Sequence, residues 1–123
     1  MLPNHLEVQI IKDLDEGFLP TYVNATAGTT VLGSFDPIYK IADITEKYNL
    51  WLHVDGAYCG SVIFSDKFKY LVDGIERSNS FNYNAHKMLG TPLTCSVLLV
   101  NDKKYLYNSF SNDADYLYQT DGD

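Results

Sequence analysis

Leu50-Trp51-Leu52-His53-Val54-Asp55 is an apolar run broken by one histidine and closed by a carboxylate. A continuous apolar stretch of this length reads as a strand buried in a parallel sheet. Further on, Ser80-Phe81-Asn82-Tyr83-Asn84 reads as a second strand, and it runs directly into Ala85-His86-Lys87. The stretch between them has room for a crossover, with a short helix expected from Asp66 to Val72. Two strands joined by a crossover lie side by side and parallel, which brings the groups at their carboxyl ends together. A carboxylate, Asp55, and an amine, Lys87, are therefore expected as neighbours at one edge of a sheet.

Upstream, Leu6, Ile10, Ile11 and Leu14 recur at helical spacing between Pro3 and Asp15, and Gly17 is a plausible stop. Residues 21–26 read as a short strand, and the glycine- and threonine-rich residues 27–34 as a loop. Asp36-Pro37 has the form of an N-cap followed by proline in the first turn. The amphipathic helix that follows carries Ile38, Ile41, Ala42, Ile44, Thr45 and Tyr48. Downstream, residues 95–100 form a strongly apolar strand. The short turn before it implies an antiparallel pairing with residues 80–84. Lys103 to Phe110 suits a last helix. Strands alternating with helices give an α/β fold, a mostly parallel sheet flanked by helices. Ligand sites in such sheets gather at the carboxyl ends of strands, where residues 26–30, Asp55 and Lys87 all fall.

The chain has 123 residues, the size of one small domain, with no repeat or linker, and an ordinary hydrophobic content of 46%. A formal net charge of -7 argues against nucleic acid as a partner, because phosphate backbones call for clustered positive charge. No apolar run approaches the length of a membrane span, and the first residues do not resemble a signal peptide. Cys59 and Cys95 lack metal-ligand spacing and read as reduced thiols, in keeping with a cytoplasmic setting. No metal site is expected.

A lysine amine can form a Schiff base with an aldehyde cofactor. A carboxylate beside it can hold a pyridine-ring nitrogen protonated, so that the ring draws electrons from a substrate carbon. Asp55 and Lys87 together are what a pyridoxal 5'-phosphate site needs. Plainer readings stand beside this one: Lys87 as a surface lysine in a turn, Asp55 as a helix cap or turn residue, His86 as a histidine bonded to backbone. By alternation His53 shares a face with Asp55. No Ser-His-Asp or Walker-type constellation is evident.

Three phrases, Asn24-Ala-Thr-Ala-Gly-Thr-Thr30, Trp51-Leu-His-Val-Asp55 and Asn84-Ala-His-Lys87, occur in the order and spacing of a known family. The chain resembles the group II pyridoxal-phosphate-dependent amino-acid decarboxylases, and similarity runs from Met1 to the Tyr116-Leu-Tyr-Gln-Thr-Asp121 tail. The resemblance implies a central piece, residues 1–123, of the large cofactor-binding domain of a fold-type I enzyme that is several times longer and homodimeric. It implies a small-molecule amino-acid substrate. It assigns the internal cofactor linkage to Lys87 and the ring-nitrogen contact to Asp55, and places His86 and Asn84 near the cofactor phosphate. It sets the Ala57 methyl under the ring, Thr30 near the ring hydroxyl, and His53 close by as support for Asp55. Gly28 would give the loop room for a backbone approach. The tail and the first phrase resemble the branch acting on glutamate, aspartate and cysteine sulfinate; an aromatic amino acid is the alternative substrate.

Two departures stand out. Ala85 occupies a position where the family often has proline, and Gly56 one where alanine is common. Both bear on rate and substrate preference more than on cofactor type. The rivals are an aminotransferase or lyase built on the same Asp–Lys pair, and a non-catalytic interaction module.

Overall fold

The computed structural model describes residues 1–111. Its four strands, β1 (Tyr22–Thr26), β2 (Trp51–Gly56), β3 (Ser80–Asn84) and β4 (Ser96–Val100), form one sheet in chain order. β1 and β2 pair in parallel with Ala25 beside Val54, and β2 and β3 in parallel with Asp55 beside Asn82. β4 runs antiparallel to β3, with Leu98 beside Asn82. Helices α1 (Pro3–Asp15), α2 (Ile38–Lys47), the single turn α3 (Ala85–Met88) and α4 (Lys103–Phe110) complete the elements with regular α geometry.

The core lies on one face of the sheet. Val23 and Ala25 of β1, Leu52 and Val54 of β2 and Phe81 of β3 pack with Ile10 of α1 and Ile38, Ile41, Ala42 and Ile44 of α2. Ile38, Ile41, Leu52 and Val54 are fully buried. Each such side chain contributes about 1.5–3 kcal/mol relative to exposure. Among the described residues β2, read from sequence as a buried strand, is fully buried on one face and half-buried on the other. Trp51, His53 and Asp55 form a half-buried stripe that alternates with buried Leu52, Val54 and Gly56. Two of the stripe's rings meet aromatic neighbours: Trp51 takes the edge of Tyr105 from α4 at 4.7 Å, and Tyr22 stacks on His53 at 6.3 Å.

Two local expectations also change. Asp36 does not cap α2, whose N-cap is Pro37 with no side-chain hydrogen bond. Its carboxylate instead accepts from the Thr26 N–H at 2.8 Å, so it fastens the end of β1. Residues 66–72 do not form an α-helix. The crossover is built from three 3-10 turns, Gly60–Phe64, Lys69–Val72 and Ile75–Arg77. Gly74 interrupts it with φ 91°, and its α-carbon lies so close to Tyr39 that a side chain would meet the Tyr39 backbone at 2.6 Å. An α-helix could not hold that left-handed residue without breaking.

Arg77 ties this crossover to α2. Its guanidinium donates to both oxygens of Glu46, at 2.8 and 2.6 Å, contacts Asp43 at 2.8 Å and lies over the Tyr39 ring. The hydrogen bonds from Arg77 hold the Glu46 carboxyl below its usual value of 4.5. A carboxylate depressed in the folded state adds stability that is complete above its unfolded value and is lost as pH falls through the folded one. Replacing Arg77 by methionine is expected to lower the thermal midpoint of the full-length protein near about pH 7 and to leave it closer to unchanged near about pH 3. An equal loss at both values would remove the ion cluster as the cause.

Candidate active site

Three strand ends meet where the chemistry was expected. The Ala27 N–H donates to the Asp55 carbonyl at 2.8 Å, joining the loop after β1 to the end of β2. The Asn84 N–H donates to the Ala57 carbonyl at 3.3 Å, joining the turn after β2 to the end of β3. These bonds set Asp55, Ala57 and Asn84 at one edge, and α3 begins there with Ala85, His86 and Lys87.

Asp55 is half-buried, and its Oδ1 accepts the Ala57 N–H at 2.9 Å. Its Oδ2 has no hydrogen bond among the described residues. Lys87 sits in the one-turn helix α3 and is exposed rather than enclosed, and its Nζ makes no hydrogen bond or ion pair among the described residues. The structure thus presents one carboxylate oxygen and one amine, both without protein partners, on neighbouring strand ends.

His86 is half-buried and locked to Cys95. Its own N–H faces the Cys95 carbonyl at 3.4 Å, and its Nδ1 lies 3.1 Å from the Cys95 N–H. Nδ1 also lies 3.0 Å from the Cys95 carbonyl oxygen, but one nitrogen does not both accept from the amide and donate to the carbonyl. The backbone N–H has a fixed hydrogen, so Nδ1 accepts it and the ring hydrogen sits on Nε2, free to donate outward. The sequence reads Cys95 as a reduced thiol at the start of an apolar strand and gives no sign that its backbone holds His86. Both cysteines are free, and burial pushes the Cys59 thiol up from its ordinary value.

His53 does not support Asp55 directly. Its Nδ1 lies 2.7 Å from Ser80 Oγ and its Nε2 3.1 Å from Asn82 Oδ1, so both ring nitrogens are engaged by β3. Ser80 Oγ also accepts from Trp51 Nε1–H at 2.9 Å. The carbonyl oxygen of Asn82 only accepts, so Nε2 carries the hydrogen and Nδ1 accepts from the Ser80 hydroxyl. The chain of donation then runs Trp51 to Ser80 to His53 to Asn82. Turning the Asn82 amide around would deprive the Ser80 hydroxyl hydrogen of its ring acceptor, although Ser80 is buried.

Thr30 is exposed in the loop, four residues past the end of β1, and makes no side-chain hydrogen bond among the described residues. Thr29 instead closes that loop, taking the Ser34 N–H on its hydroxyl at 3.0 Å. Gly28, with φ 88°, presses against the turn after β2: a side chain there would overlap Cys59 and touch Phe35. Its freedom is used for packing onto the Asp55 turn rather than for open space.

Ala85 is the first residue of α3, after Asn84 in extended backbone at φ −111° and ψ 105°. Proline is suited to that position, where its fixed φ matches the helix and no N–H is required. Asn84 already has the extended conformation demanded before proline. Ala85→Pro in the full-length protein is expected to raise unfolding stability by about 0.4–1 kcal/mol. A loss in urea unfolding would show that the Ala85 amide or the start of α3 is needed as it stands.

Comparisons with known proteins identify the family and the fold. The model of the pyridoxal-dependent decarboxylase conserved domain matches residues 1–123. The solved apo form of mouse CSAD, cysteine sulfinic acid decarboxylase, is 45% identical with a TM-score of 0.87, over 97% of this chain and 26% of that one. Oryza sativa TDC, solved with PLP and tryptamine, is 38% identical with a TM-score of 0.92, over 97% of this chain and 24% of that one. Rhodiola rosea 4-hydroxyphenylacetaldehyde synthase is 40% identical with a TM-score of 0.85, over 89% and 23% of the two chains. The chain therefore spans about a quarter of the length of these structures. With a family match along its whole length and close structural likeness to solved relatives, it belongs to the pyridoxal-dependent decarboxylases, whose cofactor is pyridoxal phosphate.

Proposed function

We propose that the protein containing this chain is a pyridoxal-phosphate-dependent amino-acid decarboxylase acting on an acidic substrate: cysteine sulfinate, glutamate or aspartate. The observation that carries the reading is the placement of Asp55 and Lys87 at adjacent carboxyl ends of the parallel strands β2 and β3. The residues present fit the cofactor. Asp55 offers an unpartnered carboxylate oxygen to a protonated ring nitrogen, and Lys87 an unpartnered amine to an aldehyde. His86 offers a ring N–H to a phosphate oxygen, beside Asn84. Ala57, held by Asp55 Oδ1, presents a small side chain against a ring, and Thr30 is the loop residue assigned to the ring hydroxyl.

Pyridoxal phosphate supplies the aldehyde and an electron-withdrawing ring. The chain's own residues supply position and charge. Lys87 would hold the cofactor's aldehyde through its amine. Asp55 would hold negative charge at the ring nitrogen and so favour its protonated form. The Ala57 N–H fixes the direction of that carboxylate.

Support for an acidic substrate comes from identity: 45–49% to mouse CSAD, against 38–40% to the Oryza sativa and Rhodiola rosea enzymes. The Tyr116–Asp121 phrase that leans the same way lies outside the described residues. The high structural likeness to Oryza sativa TDC favours an aromatic substrate as the second reading. The test is product analysis with the full-length protein. The corresponding amines and carbon dioxide formed from acidic amino acids, with little from tryptophan or tyrosine, would support the proposal. Faster turnover of the aromatic substrates would replace it with the second reading, and keto acids as products would exclude decarboxylation. A homodimer of the full-length protein belongs to the same proposal, and sedimentation would check it.

A further inference from the structure

On β2, Trp51, His53 and Asp55 follow one another along the half-buried face, and on β3 Ser80 and Asn82 stand across from them. Residues two apart on a strand share a face and lie about 7 Å apart at their α-carbons. A histidine ring at position 53 is therefore long enough to turn toward a carboxylate at position 55. It does not do so here. Ser80 Oγ at 2.7 Å and Asn82 Oδ1 at 3.1 Å engage both of its nitrogens, and Trp51 orients the Ser80 hydroxyl from the other side at 2.9 Å. Asp55 keeps one oxygen for the Ala57 N–H and has no protein partner on the other among the described residues.

We propose that Ser80 and Asn82 are positioning residues that hold His53 in its Nε2–H tautomer and away from Asp55, so that the second carboxylate oxygen stays available to the cofactor's ring nitrogen. The inference rests on the cofactor reading above. It explains why a histidine beside a cofactor-binding aspartate is compatible with that role. An Nε2–H without its acceptor on β3 would turn to the nearest carboxylate, and Asp55 is the one on its face. The His53–Asp55 bond so formed would compete with the ring nitrogen for the same oxygen.

The test is a double-mutant cycle in the full-length holoenzyme, read by pyridoxal-phosphate affinity and by solid-state 15N spectra of histidine-labelled protein. Asn82→Leu removes the acceptor at similar size. It is expected to weaken cofactor binding about tenfold, as loss of one hydrogen-bond acceptor would, and to shift the His53 ring signals, assigned by their absence in His53→Phe. Asn82→Asp keeps an acceptor oxygen and is expected to retain the Nε2–H signature. Adding His53→Phe to Asn82→Leu is expected to restore affinity to that of His53→Phe alone, because the competing ring has gone. Losses that multiply in the double variant, or ring signals unmoved by Asn82→Leu, would overturn the proposal. Failure of the unmutated protein to bind pyridoxal phosphate would instead overturn the cofactor reading, so the two failures are distinguishable.

Discussion

Lys87→Ala is expected to abolish covalent capture of pyridoxal phosphate and to lower amino-acid turnover by roughly 10⁴-fold or more, the scale on which loss of a covalent group acts. Borohydride treatment of the unmutated full-length protein should fix the cofactor to the single peptide that contains Lys87, and the same treatment of the variant should fix none. Lys87 stands on α3, one turn past the end of β3, exposed and with no protein partner for its amine among the described residues. Little folding energy therefore depends on it, and the variant should unfold within about 0.5 kcal/mol of the parent, as surface substitutions usually do. That separation of large chemical effect from small stability effect is the informative part. Lys87→Arg keeps the charge but not a condensable amine, so it should fail as fully as alanine. A lysine variant that still traps cofactor on this peptide would move the tether to another residue and remove the basis of the proposed function.

The neighbourhood of Asp55 and Lys87 was legible in sequence because it depends on topology rather than on side-chain detail. One apolar run ends in aspartate, a second strand ends in His86-Lys87, and the crossover between them forces the parallel pairing in which Asp55 lies beside Asn82. The antiparallel β4 was legible for a similar reason, since the turn before it is too short for a crossover. Readings that failed were those in which a local rule met a tertiary competitor. Asp36 has an ideal capping side chain, yet the free Thr26 N–H at the end of β1 takes it. A short helix was expected over Asp66–Val72, but the crossover is built from 3-10 turns, and Gly74, in a left-handed conformation against Tyr39, stops any helix from running on. The apolar residues 50–54 read as a buried strand, and among the described residues its tryptophan and histidine belong to a half-buried stripe.

The partners of His53 were not legible at all. Alternation along β2 puts His53 and Asp55 on one face, which invited the inference that the first supports the second. Only the register of β3 shows that Ser80 and Asn82 reach His53 instead. For His86 a bond to backbone was among the sequence readings, and the structure supplies the partner, Cys95, nine residues on and across a strand pairing. Hydrogen-bond partners of this kind are set by three-dimensional register, and a single sequence carries no periodic signal for them.

Asp55→Asn is expected to leave the fold and the cofactor link in place while lowering turnover by about 10²–10³-fold, the usual cost of removing one group aimed at developing charge. A carboxamide oxygen can still accept the Ala57 N–H, so the 2.9 Å bond that fixes this turn survives, and with it the joining of β2 to β3 through Ala57 and Asn84. What is lost is the negative charge that favours a protonated ring nitrogen, and that charge matters most when electrons move from the substrate carbon into the ring. The effect should therefore fall on kcat more than on KM, since ground-state binding of the amino acid does not use it. Asp55→Ala differs in kind: it also strands the Ala57 N–H, so both cofactor affinity and unfolding stability should drop. Borohydride trapping on Lys87 in the asparagine variant, with turnover within a few-fold of the parent, would show that Asp55 does not act through its charge. Loss of trapping together with loss of stability would place Asp55 in the fold rather than in the chemistry. Retained trapping with a fall confined to kcat is the one combination that the geometry of two neighbouring parallel strand ends predicts.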